Sequence, residues 1–364
     1  MSASAIGRSS SAWVEVSLAA VVENARAVAR TAGARLLPVV KANGYGVGAV
    51  AVSRALDAVD PWGFGVATVP EGVELRDGGI TRPVLVFSPA SPETFDLYAR
   101  HRLTPVLETA PAIRAWLARE GGTFHLGIDT GMSRAGVRWD EIASLAAAAL
   151  DTPRLEGCYT QFHSADHRDG SAEEQLERFL GAVSQLPRRP PLLHVANSAA
   201  ALRDRRFALD LVRPGVYLYG GAPAEWIPGG RPVVSIRARV VSVRTVRRGE
   251  TVSYSATWTA PRDTTVATLG IGYADGLRRA LGLGGQAYVL LRGARCPMIG
   301  LVTMDYVMVE THGVPVQGGD VATLVGEADG GGGRITLDQF AAWSGELQRE
   351  FLTGLGSRLT RVYE

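Results

Sequence analysis

The sequence predicts an α/β protein in two parts, a (β/α)8 TIM-type barrel over residues 12–230 and a C-terminal, mainly β domain over residues 231–364, with residues 1–11 as a flexible lead. Three features point to it. Up to residue 215, about eight short apolar runs alternate with helical patterns, the rhythm of a parallel-stranded barrel. Beyond Arg231 the apolar period falls to two, and Gly, Pro and Asp make the turns with no long helix between them. The opening MSASAIGRSSSAW is small and polar and lacks the apolar core of a secretion signal.

In chain order, Ser17 is placed to N-cap a helix in which Leu18, Val21, Val22, Ala25, Val28 and Ala29 recur at helical spacing, and Gly33 ends it. LLPVVKAN supplies the first barrel strand. A helical segment from Val50 to Ala58 leads to GFGVAT, and a helix around Glu71 to Arg76, closed by Gly78 and Gly79, leads to VLVFSP. LTPVLE at 103–108, FHLGID at 124–129, EGCYTQF at 156–162, LLHVAN at 192–197 and LDLVRPG at 209–215 complete the strands. Helical stretches Glu141 to Leu150 and Glu173 to Gln185 lie between them. In the second part, RPVVSIRARVVSVRTV, TVATLGIGY, AYVLLRGARCPMIG, YVMVE and DVATLVG read as strands. GEADGGGGR is a loop, and ITLDQFAAWSG a short helix capped by Thr336.

Composition excludes several classes of function. The formal net charge is only +2, and no basic run is interleaved with aromatics, which argues against nucleic acid. The two cysteines, Cys158 and Cys296, are far apart, so neither a disulfide framework nor a zinc site is expected, and a reducing compartment suits them. No apolar run reaches the length of a membrane span, and the protein is expected to be soluble and cytoplasmic.

One residue stands out against the basic composition. Of 38 Lys and Arg residues, Lys41 is the only lysine. A surface position would accept Arg equally well, whereas an amine that must shed its proton and form an imine cannot be replaced by guanidinium. Lys41 ends the first barrel strand, where barrels bind ligands, and the loops after strands seven and eight commonly hold phosphate. Strand seven runs into HVANSAA, with Ser198 at a helix start, and strand eight into VRPGVYLYG, with Arg213 and a permissive Gly215. Taken singly, the first is also an ordinary helix start and the second an ordinary turn. Together the three strand ends offer an imine-forming amine, a phosphate cradle and a cation.

VVKANGYG, IDTGMSRAG, HVANSAA, VRPGVYLYG, VSYSATWTA, IGYADG and TMD, in this order, resemble the alanine racemase family of pyridoxal 5′-phosphate enzymes over nearly the whole chain. The resemblance implies an amino-acid racemase with alanine as default substrate, acting as a homodimer whose active sites are shared between chains. Lys41 then matches the lysine that binds the cofactor and moves the proton on one substrate face, and Tyr254 the opposite-face base given by the partner chain. Read without the family, Tyr254 is an ordinary strand aromatic. Arg213 matches the arginine facing the pyridine nitrogen; Tyr45, Ser198, Gly215 and Val216 match phosphate contacts, and His194 goes with the cofactor-binding set. Arg134 and Met304 match groups near the substrate carboxylate, and Tyr273 the approach channel.

Four positions depart from the family pattern. Gly127 stands where many members carry a carbamylated lysine that braces the arginine, and Gln161 where a histidine is usual, with His163 expected to point the same way two residues on. Leu301 replaces a common channel arginine, whose neighbour Arg279 is kept, and Arg349 aligns with a phosphate-contacting tyrosine. These changes fit either neutral drift or a larger, less polar substrate. His163, Asp166 and His167 in FHSADH read as a polar loop, with no metal expected. Two rival functions stay open, aldol-type or decarboxylating chemistry on the same scaffold and a non-catalytic cofactor-binding barrel; the β domain and Tyr254 speak against the second.

Overall fold

The computed structural model describes residues 10–145 and 150–364, so most of the expected lead and part of the expected Glu141 to Leu150 helix lie outside the described residues. Of that helix, the 3-10 turn Ile142–Ser144 and the helical Leu150 are described. The chain divides into two compact units, one spanning Ala19–Arg231 and the other combining the N-terminal residues up to Leu18 with Pro232–Glu364.

The strand β1 (Ala12–Val16) departs from the expected layout, in which the barrel begins at residue 12. It pairs antiparallel with β11 (Val234–Val246), Val14 opposite Ile236, and parallel with the last strand, Val14 opposite Arg361. The reason is backbone satisfaction: AWVEV is a strand with Trp13, Val14 and Val16 buried, and the β unit offers it hydrogen-bonding partners on both edges. The barrel unit therefore starts with the helix Leu18–Ala32, which turns Val21, Ala25 and Val28 inward as its spacing predicts.

The barrel strands are β2 (Arg35–Leu36), β3 (Phe64–Val66), β4 (Val84–Pro89), β5 (Thr104–Leu107), β6 (Phe124–Asp129), β8 (Leu155–Tyr159), β9 (Leu192–His194) and β10 (Leu211–Val212), with a short β7 (Val137–Arg138) beside β6. Strands β3 to β9 run parallel in one sheet, and β10 pairs parallel with β2. Backbone bonds close the ring: Trp62 donates to Leu36 O (2.8 Å), Gly65 to Pro38 O (2.9 Å), Asp210 to Leu193 O (3.0 Å) and Arg213 to Ala196 O (2.8 Å). The eight expected strands are these eight. Leu37, Trp62, Leu85, Val106 and Leu211, in or beside five neighbouring strands, form a buried cluster, as a filled barrel demands.

The β unit follows with β12 (Thr251–Val252), β13 (Trp258–Thr259), β14 (Thr264–Leu269), β15 (Tyr288–Leu291), β16 (Ala294–Ile299), β17 (Val307–Glu310), β18 (Val321–Glu327), β19 (Arg334–Ile335) and β20 (Thr360–Tyr363). Long β11 pairs with β1 and β18 in its first half and with β14 in its second, and register shifts near Ile236 and Val240 let it turn from one set to the other. Pairing through β14, β17, β16, β15 and β18 back to β11 closes an antiparallel barrel. Thr336 caps the helix Leu337–Trp343 by accepting from Gln339 N, as its position predicts.

Asn24 is the polar residue on the buried face of the first helix. Its Nδ2 donates to Leu218 O (3.2 Å) and Arg231 O (2.9 Å), and its Oδ1 accepts from Arg231 N (2.7 Å), so one side chain ties that helix to the end of the barrel unit. Asn24→Ala strands these partners at about 1–3 kcal/mol for each group left buried and unmet. The expected outcome is a melting temperature lower by several degrees, read by calorimetry.

Candidate active site

The chain leaves β2 through Val39 and Val40, whose amides bond Pro214 O (2.8 Å) and Gly65 O (2.9 Å), and Lys41 follows at the barrel rim. Ala42, Asn43, Gly44 and Tyr45 then make one turn of left-handed helix, with φ of 51°, 53°, 61° and 54°. Such backbone costs roughly 1–2 kcal/mol for each non-glycine residue, so it persists only where its surroundings hold it. Glu71 is one such support. Its Oε1 accepts from Ala42 N (2.7 Å), while Oε2 accepts from Ala67 N (2.7 Å) and Thr68 N (3.2 Å) in a capping box on the helix Val69–Asp77. Asn43 Oδ1 gives the second by accepting from Ala49 N (3.0 Å). The Lys41 ammonium is held below its usual pKa by burial first, then by the charge of Arg134 and, to a lesser degree, Arg213, with Glu71 opposing.

Arg213 is buried just after β10 and, among the described residues, has no carboxylate in ion-pair contact. Nη1 donates to His194 O (2.5 Å) and His194 Nδ1 (3.1 Å). Nη2 donates to Thr160 O (2.6 Å), Val195 O (3.2 Å) and, weakly, Gln161 Oε1 (3.4 Å). Among the described residues only its Nε–H is left without a partner. Burial lowers its pKa to about 10, so the guanidinium remains a cation and a donor at neutral pH.

Two further segments meet Tyr45. Its ring stacks on Tyr219 at 4.5 Å and 21°, and Tyr219 Oη donates to Val39 O (3.0 Å). Ser198 Oγ accepts from Gly215 N (2.9 Å) and Tyr217 N (3.4 Å), and Val216 opens the 3-10 turn Val216–Tyr219. A β-carbon at residue 215 would collide with the Tyr45 hydroxyl, so glycine is what lets that hydroxyl close on the backbone beside Ser198. Of the residues singled out in the barrel unit, Lys41, Arg134 and Arg213 thus share one electrostatic environment, Tyr45, Ser198 and Gly215 share a cradle, and His194 carries Arg213.

Tyr254, Tyr273 and Met304 belong to the β unit, where all three are exposed, Tyr254 most of all at 63%. Tyr273 N donates to Thr303 O (2.9 Å) and Ala274 N to Met304 O (3.0 Å), so IGYADG and TMD lie side by side. Arg358 braces the two segments, bonding both oxygens of Asp275 (3.1 Å each) and Asp305 Oδ1 (2.8 Å). Ser253, next to Tyr254, donates to Leu301 O (2.6 Å). Tyr254 itself sits in a tight turn in which Ser253, Ser255 and Ala256 all have positive φ.

The four departures have distinct local outcomes. A side chain at residue 127 would begin 2.7 Å from Glu108 Oε1, because the Glu108 carboxyl fills the space beside Gly127. That oxygen is buried without a hydrogen-bond partner, and burial, with Asp129 nearby, raises the Glu108 pKa against the amide of Gly136. Gln161 faces Arg213 as its position predicts. His163 does not point the same way: β8 ends at Tyr159, alternation stops there, and His163 is exposed and bonded to Ser164 Oγ (2.7 Å). Leu301 is buried, and Arg349 is exposed on the short helix Gln348–Thr353.

Sequence reasoning missed Glu71, Glu108, Arg358 and the histidine His125 behind His194. Only Glu71 had a local signal, the Thr68-x-x-Glu71 spacing of a capping box. The depressed Lys41 pKa has a consequence for stability. A base whose pKa falls on folding destabilises the native state wherever it is protonated when unfolded, below about its ordinary value of 10.5. Cofactor-free Lys41→Met is therefore expected to melt above the cofactor-free parent near neutral pH, with the gap closing as pH rises toward 10.5, measured by thermal unfolding across pH.

Comparison with known proteins supplies the family. Residues 16–223 match the model of the alanine racemase N-terminal domain and residues 233–363 that of the C-terminal domain. The chain is 39% identical over 362 residues to the alanine racemase of Deinococcus deserti, covering 97% of this chain and 99% of that protein. The structure superposes on alanine racemase from E. faecalis with a TM-score of 0.91 at 30% identity, covering 97% and 98% of the two chains. It also resembles a Bartonella henselae alanine racemase with covalently bound pyridoxal phosphate (TM-score 0.86, 27% identity, 98% and 100% covered) and a histidine racemase from Leuconostoc mesenteroides (0.87, 27%, 97% and 98%). The chain belongs to the alanine racemase family of amino-acid racemases.

Proposed function

We propose that the protein interconverts the enantiomers of a small amino acid, alanine by default, with pyridoxal 5′-phosphate as cofactor, as a homodimer with active sites completed by the partner chain. The observation that carries it is the state of Lys41: the lone side-chain amine, fixed by a left-handed turn at a barrel rim and biased toward neutrality by burial and two arginines. The residues fit the cofactor. The Tyr45 hydroxyl, Ser198 and the backbone at Gly215, brought together where only glycine fits, suit a phosphate, and the unpaired Nε–H of Arg213 suits a ring nitrogen. When bound, the cofactor supplies an electron sink that makes the substrate α-proton removable.

The rest of the chemistry belongs to the chain. Neutral Lys41 Nζ takes or returns the α-proton on one face, and Tyr254 Oη of the partner chain does so on the other. Arg213, locked to barrel carbonyls, donates a hydrogen bond without surrendering a proton, which limits charge spreading into the ring and favours prompt reprotonation. Arg134 faces the substrate carboxylate, with Met304 beside it, and Tyr273 lines the approach. A cytoplasmic setting suits the buried, unpaired Cys158 and Cys296, and no helix of the described residues is long and apolar enough to cross a membrane.

A second reading concerns substrate size. Glu108 fills the space beside Gly127 with a carboxyl, and a histidine racemase shares this fold, so a more polar amino acid is the alternative substrate, in place of the less polar one that the departures alone suggest. Incubation with pyridoxal phosphate and a panel of L-amino acids in heavy water separates the cases. Fastest α-deuteration with both enantiomers from alanine supports the default, another amino acid in first place supports the alternative, and release of carbon dioxide or an aldehyde rejects racemisation.

The shared site has its own test. Lys41→Ala and Tyr254→Phe are each expected to lose about 10²–10⁴-fold in turnover. When the two inactive proteins are mixed, unfolded and refolded together, heterodimers pair one intact Lys41 with one intact Tyr254, restoring roughly one quarter of parental activity. No recovery, with heterodimers demonstrated, means that both bases act from one chain.

A further inference from the structure

A line of buried polar groups runs from Arg213 toward the N-terminal ends of β6 and β8, away from Lys41's end of the barrel. Arg213 Nη1 lies 3.1 Å from His194 Nδ1, and His194 Nε2 lies 2.8 Å from His125 Nδ1. His125 Nε2 has no hydrogen-bond partner but faces Glu156 Oε2 at 3.7 Å, and that oxygen accepts from Thr123 Oγ1 at 2.8 Å. Both imidazoles are fully buried, whereas the Glu156 side chain is 26% exposed. The barrel makes room for the inner ring. Gly157 is the register partner of His125 on the next strand, and a β-carbon there would come within 2.6 Å of the imidazole.

The geometry dictates where the protons are. Guanidinium can only donate, so His194 Nδ1 must offer its lone pair. Burial lowers the pKa of both imidazoles, for His125 against the opposing Glu156 carboxylate and for His194 together with His125 and Arg213, so both are neutral near pH 7. The single proton of His194 is then on Nε2, which donates to His125 Nδ1, and the proton of His125 is on Nε2, directed at the Glu156 carboxylate. The opposite direction would set an N–H of His194 against the N–H of Arg213 and turn a lone pair toward a negative charge.

We propose that Glu156 and His125 are positioning residues for Arg213: the carboxylate fixes the direction of hydrogen bonding through both imidazoles, so that His194 always receives from Nη1 and the guanidinium keeps one orientation. The effect on turnover rests on the racemase assignment, whereas the direction of the hydrogen bonds is a property of the protein alone. Glu156→Gln removes the charge at the accessible end with little change of shape, and its amide can face His125 as donor or acceptor.

The test uses holoenzyme with ¹⁵N-labelled imidazoles, whose few signals (six histidines in the chain) report the proton position on each ring. Both His125 and His194 are expected as neutral Nε2–H tautomers in the parent. In Glu156→Gln, His125 is expected to show mixed or exchange-broadened tautomers, with kcat lower by about tenfold and KM little changed. Glu156→Asp is expected to restore the parental signals in part, and Gly157→Ala, which displaces the His125 ring, to reproduce the Gln phenotype. A proton on Nδ1 of His194 in the parent overturns the proposal. So does a Glu156→Gln enzyme that melts lower yet keeps parental tautomers and kcat. A parent that shows the expected tautomers and their response to Glu156→Gln but racemises nothing supports the relay and defeats the racemase assignment instead.

Discussion

A guanidinium buried without a carboxylate is the constraint around which the barrel site is arranged. Removing an ion from water costs several kcal/mol even after relaxation, and here the compensation comes from aligned carbonyls rather than an opposite charge. Those carbonyls belong to Thr160, His194 and Val195, at the ends of two neighbouring strands, while Arg213 follows a third. The positions of β8, β9 and β10 are thereby tied to one planar group. Because no carboxylate neutralises it, its field also reaches Lys41, where it adds to burial and to Arg134 in favouring the neutral amine.

The opposite wall depends on a different device. A left-handed turn carries the chain from Lys41 to Tyr45, and Glu71 holds its first amide while capping the helix after β3. One carboxylate thus couples the lysine's backbone to the neighbouring βα unit. Beyond Tyr45 the stacked Tyr219 returns a hydrogen bond to Val39, just before the lysine. Amine, cradle and cation each lean on groups beyond those that would touch a ligand, Glu71, Tyr219 and the carbonyls of Thr160 and Val195, which is how a reactive constellation is kept within narrow tolerances.

Much of this was legible in the order of the residues. The eight barrel strands followed from apolar runs and Gly punctuation, and the Thr336 cap from its spacing, because local periodicity and capping act over a few residues. The placement of Ala12–Val16 was not legible, since AWVEV reads the same whether it opens a barrel or pairs with β11, more than two hundred residues away. Lys41 and Arg213 were accessible through chemistry that only their residue types can perform. His125, Glu108 and Arg358 were not, because each owes its significance to a partner that is distant in sequence: His194, the space beside Gly127, and the paired Asp275 and Asp305. His163 failed for a simpler reason. The strand stops at Tyr159, and alternation has no meaning beyond its end.

The near-total replacement of lysine by arginine leaves the folded surface without competing side-chain amines. Aldehydes condense with amines and not with guanidinium groups, so an aldehyde-bearing molecule has a single side chain on which to form an imine. In most proteins, scattered surface lysines add a background of nonspecific adducts that must be subtracted before occupancy can be counted. For this chain the backbone α-amine is the one competing amine, so reductive trapping of a carbonyl compound followed by mass measurement of the peptide that carries Lys41 gives the fraction of barrel sites filled. The composition thus makes the protein its own stoichiometric standard for that one position.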